Sequence, residues 1–264
     1  MESIVLGVLQ GLTEFLPVSS SGHLVLMQSF MGISGPVVFF DVLLHVGTLA
    51  AVLLVYRKEI MDIIRESLAA AGGQKPLSEL PHARFMLMII LGSVPAGIIG
   101  ILFEDVFERL FAAPLSVGFF LLVTGALLFA TRKMQAGVKT VGMITPSAAL
   151  LIGLAQAMAI TPGISRSGAT IAAALFLGVE RETAAKFSFL LSVPAIAGAM
   201  LLKSFSVHEI PMEAANYTAG FISAFVVGLV SLAWLIRLVK KGKLDYFAYY
   251  CWSVGLVVIL LNLL

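Results

Sequence analysis

Six long apolar runs alternate with polar connections along the chain. A helix needs about 20 consecutive apolar residues to cross a bilayer, within a usual range of roughly 17–25. Five runs meet this requirement and a sixth is borderline, so the pattern predicts up to six transmembrane helices. The runs cover residues 37–56, 84–103, 114–131, 184–203, 217–237 and 246–264.

Two further apolar segments, residues 1–35 and 146–179, are interrupted in the middle by polar residues. The interruptions read FLPVSSSGH (15–23) and TPGISRSGAT (161–170). The unbroken arms have about 12–16 residues, or roughly 18–24 Å of helix, whereas the hydrocarbon core is about 30 Å thick. Irregular backbone at that depth must be buried in protein or face a wet cavity. We therefore predict two re-entrant helical hairpins with polar tips near the middle of the membrane.

Lysine and arginine residues concentrate in alternate connections. Because positively charged loops stay in the cytoplasm, this bias orients the chain. It predicts that the first hairpin enters from outside, the second enters from inside, and the C-terminus lies outside. The basic groups are Arg57, Lys58, Arg65, Lys75 and Arg84; Arg132, Lys133 and Lys139; Arg181 and Lys186; and Arg237, Lys240, Lys241 and Lys243.

The two interrupted segments also align with each other. GVLQGLTEFLPVSSSG (7–22) matches GLAQAMAITPGISRSG (153–168) without gaps, with identical residues at five positions. Each copy is followed by three predicted spans, and an odd number of spans inverts the second copy. The predicted fold is an all-α integral membrane protein with an inverted-topology repeat. We expect one domain over residues 1–264, with repeats at about 1–131 and 146–264.

Composition supports a membrane protein, because 59% of the residues are hydrophobic, 12% are charged and the mean hydropathy is +1.03. Such a chain cannot supply the polar shell of a soluble protein. The single cysteine, Cys251, excludes an intramolecular disulfide framework and a multi-cysteine metal site. No nucleotide-binding or nucleic-acid-binding motif is visible, so no nucleic acid partner is predicted.

Three ionisable residues lie at depth within the predicted hairpins: Glu14, His23 and Arg166. A charge in the membrane centre costs about 2.5–3.5 kcal/mol even on insertion scales. Glu14 could be only a structural partner of Arg166, and serines in membrane helices usually bond backbone carbonyls. These interpretations do not explain why both breaks carry Ser-x-Ser-Gly beside a charge at tips that are predicted to meet.

Anion handling explains this combination. Helix N-termini and a forked guanidinium suit phosphate. Hydroxyls beside Glu14 and His23 provide a nucleophile with an acid/base pair. Together they meet the needs of phosphoryl transfer without a nucleotide cradle.

QGLTEFLPVSSSGH (10–23) resembles the (Glu/Gln)-x3-Glu motif of the bacterial undecaprenyl-diphosphatases, the bacitracin-resistance family. PGISRSGAT (162–170) resembles the second signature of that family, and FDVLLHVGTLAAV (40–52) is similar to a further segment. The resemblance implies removal of one phosphate from undecaprenyl diphosphate, which recycles the lipid carrier of cell-wall precursors. It also implies a multi-pass protein of the bacterial plasma membrane whose active site opens to the extracytoplasmic side.

The resemblance implies roles for individual residues. We expect Ser20 to be the nucleophile, with direct attack by His23 or by a water activated by Glu14 as the rival. Mg²⁺ or Ca²⁺ is implied as cofactor, but only Glu14 is a good ligand, so the diphosphate could carry the metal. The catalytic residues are Glu14, Ser20, His23 and Arg166; the phosphate-binding residues are Ser19, Ser21, Gly163, Ser165, Arg166, Ser167 and Thr170; and Gln10, Asp41 and His45 are expected to lie behind them.

Asp41 and His45 are four residues apart on a predicted helix, where a pair that neutralises itself is as good an interpretation as a catalytic relay. The chief rival function is a polyprenyl-phosphate transporter or flippase, because inverted repeats with broken helices are typical of transporters. The clustered Ser, Glu and His favour an enzyme. The sequence leaves the oligomeric state open, a homodimer included.

Overall fold

The computed structural model describes residues 1–33, 38–135, 137–204 and 213–263. Over these residues the protein is helical, and the β pairing is limited to an isolated bridge between Lys139 and Val179. The α-helices are α1 (Glu2–Thr13), α2 (Ser20–Phe30), α3 (Val38–Val55), α4 (Arg57–Ala71), α5 (Pro81–Leu102), α6 (Glu104–Phe111), α7 (Pro114–Ala130), α8 (Pro146–Met158), α9 (Arg166–Phe176), α10 (Arg181–Ser204), α11 (Ala214–Lys240) and α12 (Tyr246–Leu263).

Each of the six predicted apolar runs falls on a helix. Helices α5, α7, α10, α11 and α12 are long and apolar enough to cross a bilayer, and α3 with α4 forms a sixth candidate bent by 73°. The protein is therefore a multi-pass helical membrane protein. The sequence pattern did not predict α4 or α6, because their mixed polar and apolar residues were interpreted as loops.

The two predicted helix breaks are confirmed at residues 14–19 and 159–165. In the first break, Ser19 adopts a left-handed backbone with φ of 69°, and in the second Gly163 has φ of 99°. Ser19 and Ser165 then cap the following helices by accepting the backbone N–H groups of Gly22 and Gly168, at 3.3 and 3.1 Å. A helix whose first turn is capped by a serine can restart within an apolar environment, because the cap satisfies a free N–H.

The tips of the two hairpins contact each other in the interior. A Cβ atom on Gly22 would lie 3.0 Å from the nitrogen of Gly163, and one on Gly168 would lie 3.2 Å from Cβ of Pro17. Around the tips, α1 packs on α11, α8 packs on α5, and α7 packs on α12. The polar breaks are therefore enclosed by helices, as irregular backbone inside a membrane requires.

The predicted basic groups meet at one end of the bundle. Lys186 pairs with Glu59 of α4 at 2.9 Å, and Arg181 donates to the carbonyl of Met134 at 3.3 Å. Lys240 at the end of α11 pairs with Glu182 at 2.8 Å. These contacts join the four basic groups in one region, which is what the charge pattern requires. Which side of the membrane this end faces stays a prediction.

Candidate active site

Glu14 is the centre of the polar cluster between the hairpins, and it is 6% exposed. Its Oε2 accepts hydrogen bonds from Nε2 of Gln10 at 2.9 Å and from Oγ of Ser20 at 2.5 Å. Its Oε1 pairs with Nη2 of Arg166 from the other hairpin. Nε2 of His45, on α3, lies 3.6 Å from Oε2. One buried carboxylate thus collects residues from α1, α2, α3 and α9.

Arg166 is the first residue of α9, directly after the capping Ser165. Its Nη2 contacts Glu14, whereas its Nη1 is buried and has no hydrogen-bond partner among the described residues. A structural ion pair explains the first contact but leaves a buried guanidinium donor unsatisfied, which is costly. An anion placed at Nη1 would satisfy this donor, so the geometry suits an arginine that binds both the carboxylate and a ligand.

The serines of the first break have different surroundings. Ser20 is the one whose hydroxyl bonds to Glu14. Oγ of Ser19 accepts the N–H of Gly163 at 3.0 Å and so joins the two hairpins, which leaves its own proton free to donate. Oγ of Ser21 lies 3.4 Å from Oγ of Ser19. In the second break, Oγ of Ser167 lies 3.2 Å from that of Ser165.

His23 is held on the side of α2 that faces α12. Its Nδ1 lies 2.8 Å from the carbonyl oxygen of Ser19, and its Nε2 lies 2.8 Å from the hydroxyl of Tyr250. Since a carbonyl only accepts, Nδ1 carries a proton, and Nε2 of the neutral ring accepts from Tyr250. The two rings also stack, with centroids 5.7 Å apart and planes 13° apart. His23 therefore contacts Tyr250 and not the Ser20–Glu14 pair.

The predicted pair of Asp41 and His45 interacts through the backbone. Nδ1 of His45 donates to the carbonyl oxygen of Asp41 at 2.7 Å, while Oδ1 of Asp41 accepts from Nε2 of Gln28 at 2.6 Å. His45 thus directs its other nitrogen toward Glu14. The carboxylate of Asp41 is bonded to α2, and the two side chains form no direct hydrogen bond.

Two predicted phosphate-binding residues have structural partners. The hydroxyl of Thr170 donates to the carbonyl of Arg166 at 2.7 Å and contacts Ser188 of α10. The N–H of Gly163 is used by Ser19, and its carbonyl accepts from the hydroxyl of Thr124 at 2.7 Å. The same hydroxyl accepts the N–H of Ser165 at 3.1 Å. Thr124, which sequence reasoning missed, holds the second break against α7.

A protein-held divalent cation does not fit these residues. Both oxygens of Glu14 are already engaged, one of them by a guanidinium. Across the described parts of the chain, no three His, Cys, Asp or Glu side chains lie close enough together to hold a metal ion. Hard cations take six or more oxygen ligands, several of which come from protein carboxylates or from a phosphorylated substrate. The protein itself offers too few here.

Fold and site together define a multi-pass helical membrane protein with a polar site between two helix breaks. The breaks bring together a buried carboxylate, a hydroxyl bonded to it and an arginine with a free donor. The family model of the bacitracin resistance protein BacA matches residues 3–257. The chain belongs to this family.

Curated relatives cover the chain almost completely. A protein of Desulfatibacillum aliphaticivorans named undecaprenyl-diphosphatase is 48% identical over 99% of this chain and 98% of its own length. Proteins of the same name from Methanosphaera stadtmanae and Carboxydothermus hydrogenoformans are 41% and 42% identical, each over 99% of this chain and at least 97% of their own length. The resemblance noted from the two motifs is confirmed.

Proposed function

We propose that this protein is a phosphatase that converts undecaprenyl diphosphate to undecaprenyl phosphate, and that this activity recycles the lipid carrier and confers resistance to bacitracin. The observation that carries the proposal is the 2.5 Å hydrogen bond from Ser20 to Glu14, beside a guanidinium with an unused donor. A carboxylate bonded to a hydroxyl is the arrangement that activates a nucleophile. The family and the names of its relatives support the substrate.

In the proposed reaction, Oγ of Ser20 attacks the terminal phosphorus while Glu14 takes its proton. The bond between that phosphorus and the bridging oxygen breaks, and undecaprenyl phosphate leaves with the electron pair. Water then hydrolyses the phosphoserine, which releases phosphate and restores the hydroxyl. Nη1 of Arg166 binds a phosphoryl oxygen throughout, because charge on these oxygens must be neutralised in the transition state. The divalent cation, Mg²⁺ or Ca²⁺, is proposed to arrive with the diphosphate.

The inverted repeat is part of the proposal. In the alignment of the two hairpins, residues 17 and 22 of the first correspond to residues 163 and 168 of the second. At the tips, Gly22 lies close to Gly163, and Gly168 lies close to Pro17. Exchanging the two hairpins therefore turns one close approach into the other. The serine caps at Ser19 and Ser165 correspond as well. This agreement supports two copies of one unit that face each other with opposite orientation.

The basic end of the bundle is proposed to face the cytoplasm of a bacterial plasma membrane. As the family resemblance implies, we further propose that the active site opens to the extracytoplasmic side. The sequence leaves a homodimer open, and the site described here is complete within one chain.

The test is phosphate release from undecaprenyl diphosphate by the purified protein in detergent, with Arg166→Ala as the matched variant. We expect clear turnover by the wild type and a loss of about 10²–10³-fold in the variant, by analogy with removal of one oxyanion-hole donor. Both proteins should elute identically from a sizing column. If the wild type releases no phosphate in detergent but moves labelled lipid between leaflets after reconstitution in vesicles, the protein is a flippase and the phosphatase proposal is wrong.

A further inference from the structure

Helix α4 departs from the direction of α3 where α3 ends. The two helices meet at Tyr56 and are bent by 73° relative to each other. A transmembrane helix is tilted on average by about 20° from the membrane normal. A helix that leaves its end at 73° therefore runs more nearly along the membrane surface than across it, at the end of the bundle where the basic groups meet.

Most of the acidic side chains of α4 lie on its inner face, where they bind other parts of the protein. Glu59 pairs with Lys186 of α10 at 2.9 Å. Glu66 accepts from both the backbone N–H of His82, at 2.6 Å, and Nδ1 of the same residue, at 2.7 Å. Ile63, between them, is 8% exposed and belongs to the core. Of the three carboxylates of α4, Glu59 is thus neutralised by a lysine, and Glu66 is turned inward and held by hydrogen bonds.

The outer face of α4 carries a row of exposed apolar side chains. Met61, Ile64 and Leu68 lie on one side of the helix at spacings of three and four residues, with 61%, 47% and 68% of their surface exposed. Their spacing is that of a single helical stripe. On a helix in the plane of a membrane surface, such a stripe contacts lipid acyl chains.

Three cations border this stripe. Arg57, Lys58 and Arg65 are exposed, and the first two lie where α4 begins. Because Glu59 and Glu66 are paired inward, the outer surface of α4 keeps three positive charges against the single negative charge of Asp62.

We infer that the outer face of α4 binds anionic phospholipids, with its apolar stripe among the acyl chains and Arg57, Lys58 and Arg65 at the headgroup phosphates. Lysine and arginine side chains can bury their stems in lipid while their charged ends reach the headgroups. Anionic lipids are attracted to such a cluster at a membrane surface. Neither a neutral lipid nor an apolar protein partner would use all three cations, so charge complementarity selects the anionic lipid.

The first experiment measures the lipid around α4 directly. Because the native Cys251 is buried, a Met61→Cys variant can be labelled selectively with a fluorophore. The labelled protein is reconstituted in vesicles of phosphatidylcholine and phosphatidylglycerol in which one or the other lipid carries brominated chains. We expect quenching by both lipids, and stronger quenching by brominated phosphatidylglycerol at equal mole fraction. A label at Phe103→Cys, beside the acidic residues of α6 and 50% exposed, should show no preference for the anionic lipid.

The second experiment removes the charges. In the triple variant Arg57→Gln/Lys58→Gln/Arg65→Gln, labelled at position 61, the preference for phosphatidylglycerol should fall roughly fivefold for each cation removed. Added salt should also weaken the preference of the wild-type protein for phosphatidylglycerol. Unchanged hydrolysis of undecaprenyl diphosphate would show that the variant is folded. The inference is overturned if brominated lipids do not quench the label at position 61. It is also overturned if the two lipids quench the wild type equally, or if two labelled copies contact each other through α4.

Discussion

Replacing Ser20 or Ser21 by alanine separates a nucleophile from a ligand, because the two neighbouring hydroxyls have different partners. Oγ of Ser20 donates to Glu14 at 2.5 Å, whereas Oγ of Ser21 lies 3.4 Å from Oγ of Ser19. Loss of one neutral hydrogen bond to substrate is worth about 0.5–1.5 kcal/mol, or roughly 2- to 13-fold in rate. Loss of a covalent nucleophile costs about 10⁶-fold in a well-studied hydrolase.

We therefore expect Ser20→Ala to be nearly inactive and Ser21→Ala to lose no more than about 13-fold of the wild-type rate. Neither change should unfold the protein, since Glu14 retains its bonds to Gln10 and Arg166. The assay is single-turnover hydrolysis of undecaprenyl diphosphate labelled at the terminal phosphate, with acid quenching to trap a phosphoenzyme. The wild type should yield labelled Ser20.

Two results would refute this reasoning. If Ser20→Ala and Ser21→Ala lose similar, modest amounts of activity, water activated by Glu14 attacks and Ser20 is only a ligand. If the trapped label is on His23, the histidine attacks, which would require it to leave Tyr250. In both cases the phosphatase proposal survives and the serine assignment is wrong.

Two further predictions concern topology and the histidine. A cysteine at Arg109 should react with an impermeant thiol reagent added to intact cells and one at Lys241 should not, and the reverse pattern would contradict the proposed orientation. Tyr250→Phe keeps the ring stacked on His23 but removes the hydroxyl that bonds its Nε2. If His23 acts as the acid or base expected from the motif, kcat should fall about tenfold with an altered pH profile and little change in KM. Tyr249→Phe, which changes the neighbouring tyrosine of α12, is the control and should leave both unchanged.

The sequence predicted features whose cause is local. Both helix breaks were visible because prolines, glycines and serines interrupt apolar runs, and the meeting of Glu14 with Arg166 followed from pairing the two breaks. The contact of His23 with Tyr250 joins positions 227 residues apart, and no local pattern signals which face of α12 will meet α2. Thr124 was missed for the same reason, because it is one hydroxyl in an apolar span.

Thr170 shows what a motif alone leaves open. It lies inside a motif that resembles a phosphate-binding loop, yet it follows Arg166 by one helical turn and its hydroxyl is bonded to the backbone of that residue and to Ser188. Motif membership does not distinguish a residue that touches the ligand from one that fixes the helix carrying the ligand. The direction of the side chain decides this, and that direction depends on how α9 packs on α10.

Under the proposed inverted repeat, the two hairpins must diverge where their tips meet. Positions 14, 20 and 23 hold Glu, Ser and His, and the corresponding positions 160, 166 and 169 hold Ile, Arg and Ala. Two identical copies would place two carboxylates, or two guanidinium groups, where the tips meet. Two groups of like charge at such a short distance cannot both remain ionised in an apolar interior. A carboxylate from one copy and a guanidinium from the other form a neutral pair instead.

That neutral pair also serves the proposed chemistry. Glu14 keeps Arg166 in place before the substrate arrives, because a buried guanidinium without an anion would be strongly destabilising. The pairing uses Nη2 and leaves Nη1 for the incoming phosphate. When Glu14 takes the proton of Ser20, its negative charge is lost just as the phosphoryl group gains its bond to the serine, so Arg166 then interacts chiefly with the phosphate. In the proposed reaction, the division of charge between the two hairpins thus strengthens the hold on the phosphate during the transfer itself, which is where catalysis requires it.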